Sequence, residues 1–203
     1  KESVAEKTCA KVRPLIVRFG AFGDMVVLLS MVRALQQRCD APVDVISSGT
    51  WTGPLLERQP AIGTVHLIRS RRMPYLLSSD QWRLVRTLRA REPGPVWNCD
   101  GERKSRWLIA RGGIPPSHIV DASLVPFLPN EHVIDRLLRL AALTPPAFES
   151  RCAPAQIDPS LSVPPLVVQD GDRREADAWL ERHGLQGKPL VLIQAGNKRT
   201  TRW

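Results

Sequence analysis

Asp24 closes the segment Arg18-Phe-Gly-Ala-Phe-Gly-Asp24, two glycines and then a carboxylate after a short apolar run. Glycine between a strand and a helix lets bare backbone and helix N-terminal amides approach an anion. This loop has neither the third glycine of a G-x-G-x-x-G dinucleotide fingerprint nor the lysine of a P-loop. Its closing acid would repel a phosphate. A carboxylate held at the C-terminal edge of a parallel sheet suits general-base work. The other reading of Asp24 is a plain helix N-cap.

A second loop, Gln194-Ala-Gly-Asn-Lys-Arg-Thr-Thr-Arg-Trp203, carries the opposite charge. Glycine, hydroxyls and cations directly after an apolar run suit a diphosphate; a solvated loop has the same composition. A third concentration of charge lies between Arg69 and Arg91: seven arginines (69, 71, 72, 83, 86, 89, 91) against one acid, Asp80. Trp82, Val85 and Leu88 recur at a spacing that predicts the buried stripe of a helix, with Arg83, Arg86 and Arg89 in a neighbouring row. The row is either a solvated basic face or a surface for a polyanion: nucleic acid, anionic lipid headgroups or a phosphorylated glycolipid. Charge alone does not choose among them.

The elements that must position these residues follow from the apolar pattern. Strands are expected at 15–19, 43–47, 64–68, 95–99 and 117–121. Helices are expected from Met25 to Arg38, with Asp24 as N-cap, near 51–59, and at 79–91, 103–111 and 131–143, the last with Val133, Leu137, Leu138 and Leu140 inward. Strands alternating with helices at these lengths imply right-handed βαβ units, hence an α/β fold: a Rossmann-like, doubly wound parallel sheet over residues 12–150. Prolines 145, 146, 154, 159, 164 and 165 mark a composition break, so 151–187 reads as an interdomain linker with an amphipathic helix from Asp172 to His183, its apolar face Ala176, Trp179 and Leu180. A fresh buried strand at 190–194 opens a second domain, 188–203, and a parallel strand needs a covering helix. The sequence is expected to be the front half of a longer protein.

At 203 residues with 43% hydrophobic content and a net charge of +9, the chain buries a sizeable core and is not a disordered polymer. Its longest strongly apolar stretch, Met25 to Val32, is far short of the ~20 residues of a membrane-spanning helix. Cys9, Cys39, Cys99 and Cys152 form no C-x-x-C pair and read as free thiols in a reducing compartment. The four histidines are equally scattered, so no metal site is expected.

Together the two loops resemble those of glycosyltransferase family 9, the ADP-heptose:lipopolysaccharide heptosyltransferases. The family's R-F-G-A-L-G-D-V-V-like opening is similar to Arg18–Val27 here, and its basic loop ending in tryptophan to Leu192–Trp203. Val96-Trp-Asn-Cys-Asp-Gly-Glu-Arg-Lys-Ser105 resembles the family's V-I-D-x-x-G-x-x-K-S, and His132–Leu140 its H-x-x-x-R-x-x-x-L helix. Asn98 stands where an aspartate is usual, Ser30 where a proline is frequent, and Thr201 where a lysine precedes the tryptophan.

The resemblance implies the N-terminal half of a GT-B fold and an inverting transferase that needs no metal and no cofactor besides its donor, an ADP-sugar such as ADP-heptose. It implies Asp24 as general base and Lys198, Thr200, Thr201 and Arg202 around the donor diphosphate. Gly20, Gly23, Arg69, Arg71, Arg72, Lys104 and Ser105 would face an anionic glycolipid acceptor, the lipid A–inner core. The enzyme would be cytoplasmic, in peripheral contact with the inner membrane, and no nucleic-acid partner is expected. Two other readings stand beside it. A basic nucleic-acid-binding module fits the charge, but the chain has one tyrosine, four phenylalanines and no recognisable binding motif. A nucleotide-dependent oxidoreductase fits the fold, but the three-glycine fingerprint and an acid closing the second strand are missing.

Overall fold

A computed structural model describes residues 13–69, 77–150, 158–164 and 166–191. Arg71, Arg72 and the loop from Lys198 to Arg202 lie outside the described residues, as does most of the strand expected at 190–194. Leu190 and Val191 themselves carry no strand.

Five parallel strands, β1 (Leu15–Val17), β2 (Val43–Ser47), β3 (Ile62–Leu67), β4 (Val96–Asn98) and β5 (Ile119–Asp121), form one sheet in the order β3-β2-β1-β4-β5. All five expected strands are present, in a Rossmann-like α/β sheet. The alternation along β1 shows why. Ile16 faces one apolar layer with Met25, Leu28, Val32, Trp97, Leu137 and Phe148. Leu15 and Val17 face the other, with Leu84, Val85, Leu88, Leu108 and Ile109. A strand covered on both faces has no polar side, which is why β1 reads as a short continuous apolar run.

The first layer is built by α1 (Phe22–Cys39), the short α2 (Thr52–Leu56) and α5 (Val133–Ala142). Arg38 ties α1 to the end of α5 by donating to the carbonyls of Ala141 and Leu143, both at 2.8 Å. The second layer is built by α3 (Ser79–Ala90) and α4 (Arg103–Arg111). In α3 the buried residues are Gln81, Leu84, Val85 and Leu88, whereas Trp82 is exposed. The expected stripe is thereby corrected: the core takes the i, i+3, i+4, i+7 set, and Trp82 falls on the arginine face.

Two compact units divide the chain between Val167 and Val168, not near residue 150. Within the first, Leu161 packs with Ile134 and Leu138. Gln59 clamps the end of the segment, its Oε1 accepting from Val167 N–H at 2.9 Å and its Nε2 donating to Val167 O at 3.2 Å. Proline content marked a connection here, but Leu161 and Val167 are tied into the first unit. The second unit contains α6 (Asp170–Arg182), none of whose residues is buried; Trp179 stacks on His183 at 4.2 Å. No described helix is long and apolar enough to cross a membrane.

Candidate functional site

In an open parallel sheet, ligands bind outside the carboxyl ends of the strands where the strand order reverses. Here that point lies between β1 and β4, which are neighbours although far apart in sequence. The loops leaving these two strands are Arg18–Ala21 and Cys99–Glu102, so the sheet brings Gly20, Gly23 and Asp24 to the same edge as the α4 N-terminus with Lys104 and Ser105. Arg69 also follows a strand at this edge, but behind β3, two strands away from β1, and its side chain is almost wholly exposed near Asp80.

Asp24 is not the N-cap of α1. Ala21 occupies that position, with extended backbone and no side-chain acceptor, and Asp24 lies three residues inside. Its Oδ2 accepts from the Ala21 N–H at 2.7 Å, so the carboxylate reaches back to close the first turn. Its Oδ1 accepts from Arg18 Nη2 at 3.1 Å. The same guanidinium donates from Nη1 to the Cys99 carbonyl at 3.1 Å, linking the β1 loop to the β4 loop. Each carboxylate oxygen thus makes one of its two possible contacts, and the side chain stays 37% exposed. Arg18 stands in the sequence motif, but its role as the brace of Asp24 needed the neighbouring strand to become visible.

The two glycines of the loop do different things. A Cβ on Gly20 would sit 2.5 Å from Asp24 Cβ and 2.7 Å from its Oδ2, whereas one on Gly23 meets nothing within 4 Å. Gly20 is the space that the Asp24 side chain occupies. Gly20→Ala is therefore expected to cost about 1–3 kcal/mol, the usual range for an overpacked site. Gly23→Ala, in the first turn of a helix, is expected to be neutral or to stabilise by up to about 1 kcal/mol. Thermal melts of the two variants check the contrast.

Across the reversal point, Lys104 is exposed while Ser105 is only 1% exposed and its hydroxyl donates to Glu102 O at 2.7 Å. The resemblance implied an acceptor contact for Ser105; in this structure its hydroxyl is buried in the first turn of α4. Gly101 supplies the positive φ, +62°, at which the chain leaves β4 and turns toward α4. Beside it lies a polar network that sequence spacing did not disclose. Arg106 donates to Asp121 twice, at 2.9 and 2.8 Å, Ser123 donates to it through N–H and hydroxyl, and the buried Asn98 donates to it at 2.7 Å. Burial opposes ionisation of Asp121, but the hydrogen bonds from Arg106, Ser123 and Asn98 outweigh it and hold the carboxyl well below the usual carboxylate range.

The remaining motif residues are structural. His132 caps α5, its Nδ1 accepting from Ile134 N–H at 3.3 Å, and Arg136 donates to the carbonyls of Val125 and Ala122. Cys39 and Cys99 are buried free thiols, pushed up to about 11 and about 12 by burial. Among the described residues no three His, Cys, Asp or Glu side chains gather as a metal-ligand set.

The fold recurs in solved structures. A glycosyl transferase of family 9 from Veillonella parvula matches with a TM-score of 0.59 at 14% identity, covering 87% of this chain and 51% of that one. The fold is a Rossmann-like domain shared with family 9 glycosyltransferases. The ADP-heptose lipopolysaccharide heptosyltransferase II of E. coli matches with a TM-score of 0.56 at 19% identity over 86% of this chain and 51% of that one. An E. coli heptosyltransferase solved with ADP matches with a TM-score of 0.51 at 20% identity, covering 64% and 46%. The chain spans about half the length of these structures. Neither a protein-family model nor a curated protein matches the sequence.

Proposed function

We propose that the chain is the acceptor-binding part of an inverting glycosyltransferase that moves a heptose or related sugar from an ADP-sugar to an anionic glycolipid of the lipid A–inner core type. The observation that carries this reading is Asp24: a braced, partly open carboxylate at the reversal point of a sheet whose solved relatives include heptosyltransferases. In the proposed reaction an acceptor hydroxyl lies against Asp24. Its proton passes to the carboxylate as its oxygen bonds to the anomeric carbon from the face opposite the diphosphate. The bond from that carbon to the diphosphate oxygen breaks, and ADP departs with the electron pair. Positioned donors are worth most where charge grows in the transition state, and Lys198, Thr200, Thr201 and Arg202 are proposed to meet the leaving diphosphate.

Lys104, exposed on the first turn of α4, and Arg69 with Arg71 and Arg72 are proposed to receive the acceptor's phosphates and acidic sugars. Gly23, with open space where a side chain would stand, is proposed to leave room for the acceptor at the loop, and Gly20 to seat the Asp24 side chain beside it. A cytoplasmic enzyme touching the inner membrane peripherally fits such an acceptor.

The test is sugar transfer from ADP-heptose to a lipid A–inner core acceptor, followed as ADP release. Residues 1–203 alone are expected to release no ADP above background, and a protein joining them to a donor-binding domain is expected to release it in an acceptor-dependent way. Acceptor-dependent release by residues 1–203 alone would overturn the division of labour; none from the joined protein would overturn the reaction.

A further inference from the structure

The outer face of the α3–α4 layer combines exposed tryptophan with a concentration of arginine. Trp82 and Trp107 are both more than 40% exposed, and both stand among arginines. At 100° per residue, Arg86 and Arg89 flank Trp82 on the solvent side of α3, with Arg83 on the adjoining edge. On α4 the guanidinium of Arg111 lies 4.2 Å over the Trp107 ring. Arg89 donates to the Arg111 carbonyl at 3.0 Å, so the two helices present one continuous surface. α4 contains no acid, and the one acid of α3, Asp80, faces Arg69. An open cleft of about 480 Å³ runs between Leu77, Trp82, Arg83 and Arg86, and Leu77 is 70% exposed.

We infer that this face docks the domain on an anionic lipid bilayer. Each feature has its counterpart in the headgroup zone. Arginines near a negatively charged leaflet each strengthen binding, by roughly fivefold. Tryptophan rings settle at the boundary between headgroups and acyl chains. The exposed aliphatic Leu77 beside Trp82 fits acyl carbon, where a nucleic-acid groove would call for further stacking or hydrogen-bonding groups. The orientation is also productive. α3 follows β3 and α4 follows β4, so both begin at the C-terminal edge of the sheet, the edge that carries Asp24, and Trp82 and Arg83 lie near that end of α3. A bilayer held there keeps a lipid-linked acceptor near the carboxylate, and in that respect the inference rests on the glycolipid reading above.

The 203-residue chain is mixed with vesicles of phosphatidylcholine alone or with 30% phosphatidylglycerol, carrying no glycolipid and no donor, so that binding is read independently of transfer. Sedimentation is expected to show at least tenfold stronger binding to the anionic vesicles, weakening with salt, and brominated lipid is expected to quench tryptophan emission. Arg83→Gln with Arg86→Gln is expected to lower the partition at least tenfold. Trp82→Ala with Trp107→Ala, at exposed positions, is expected to keep the melting temperature, lose most of the quenching and weaken binding several-fold. Equal binding to neutral and anionic vesicles overturns the inference, as does unchanged binding and quenching in the tryptophan pair. So does a single-stranded oligonucleotide that binds through the same tryptophans while vesicles do not. Failure of transfer with vesicle binding intact removes the proposed reaction and leaves the docking surface.

Discussion

In the protein that joins residues 1–203 to a donor-binding domain, Asp24→Asn is expected to lower sugar transfer by roughly 10²–10⁴ while leaving the fold intact, the usual worth of a positioned proton acceptor. Asparagine keeps the size of the side chain and one carbonyl oxygen. That oxygen can accept from the Ala21 N–H or from Arg18, but not from both through separate oxygens as the carboxylate does. The lost contact sits at a partly exposed site, so the stability cost should be about 1 kcal/mol. Binding of ADP-sugar should survive, because the diphosphate is proposed to meet the loop around Lys198 to Arg202. The competing role is purely structural: Asp24 as the group that closes the first turn of α1. It predicts the same small loss of stability with turnover per folded molecule unchanged. Thermal melts and initial rates on the same preparations separate the two, and near-normal turnover leaves Asp24 only its structural role.

The sheet was legible because its central strands are covered on both sides and written largely in apolar residues, as in Leu15-Ile-Val17 and in Val43-Asp-Val-Ile-Ser47, where the buried Asp44 and Ser47 are the exceptions. What misled was phase. Trp82, Val85 and Leu88 recur every three residues, but a helix turns every 3.6, so such a row drifts by about 60° at each step. Trp82 is carried out of the core, and Leu84 and Gln81 take its place. The start of α1 slipped for a related reason. Asp24 has the chemistry of a cap, but it acts from inside the helix, on an N-cap residue, Ala21, with no polar side chain to announce it. Gly20 and Gly23 look alike in sequence; only the 2.5 Å approach of Asp24 distinguishes them. The Arg106–Asp121 pair joins α4 to the end of β5, fifteen residues on, and no helical or strand period connects the two.

Asn98→Asp, which would restore the residue usual in the resembled family, is expected to destabilise this protein. The Asn98 side chain is fully buried and its amide donates to Asp121 at 2.7 Å. A carboxylate in its place would meet another carboxylate at that distance, with Arg106 and Ser123 already committed to Asp121. Two such groups cannot both ionise cheaply, so the introduced carboxyl titrates above its unfolded value, or the pair shares one proton. An upward shift of roughly two units, at about 1.4 kcal/mol each, costs about 3 kcal/mol. The sign fixes the pH window. Below the unfolded carboxylate pKa, near pH 4, both states hold the proton and the penalty is small. As pH rises, the unfolded chain releases the proton first, so the deficit grows and levels off above the raised folded value. Urea denaturation of the wild type and the variant at pH 4 and pH 7.5 checks this: the gap should widen toward neutral pH. A gap independent of pH would mean that the loss is one of packing and that Asn98 has no part in keeping Asp121 charged.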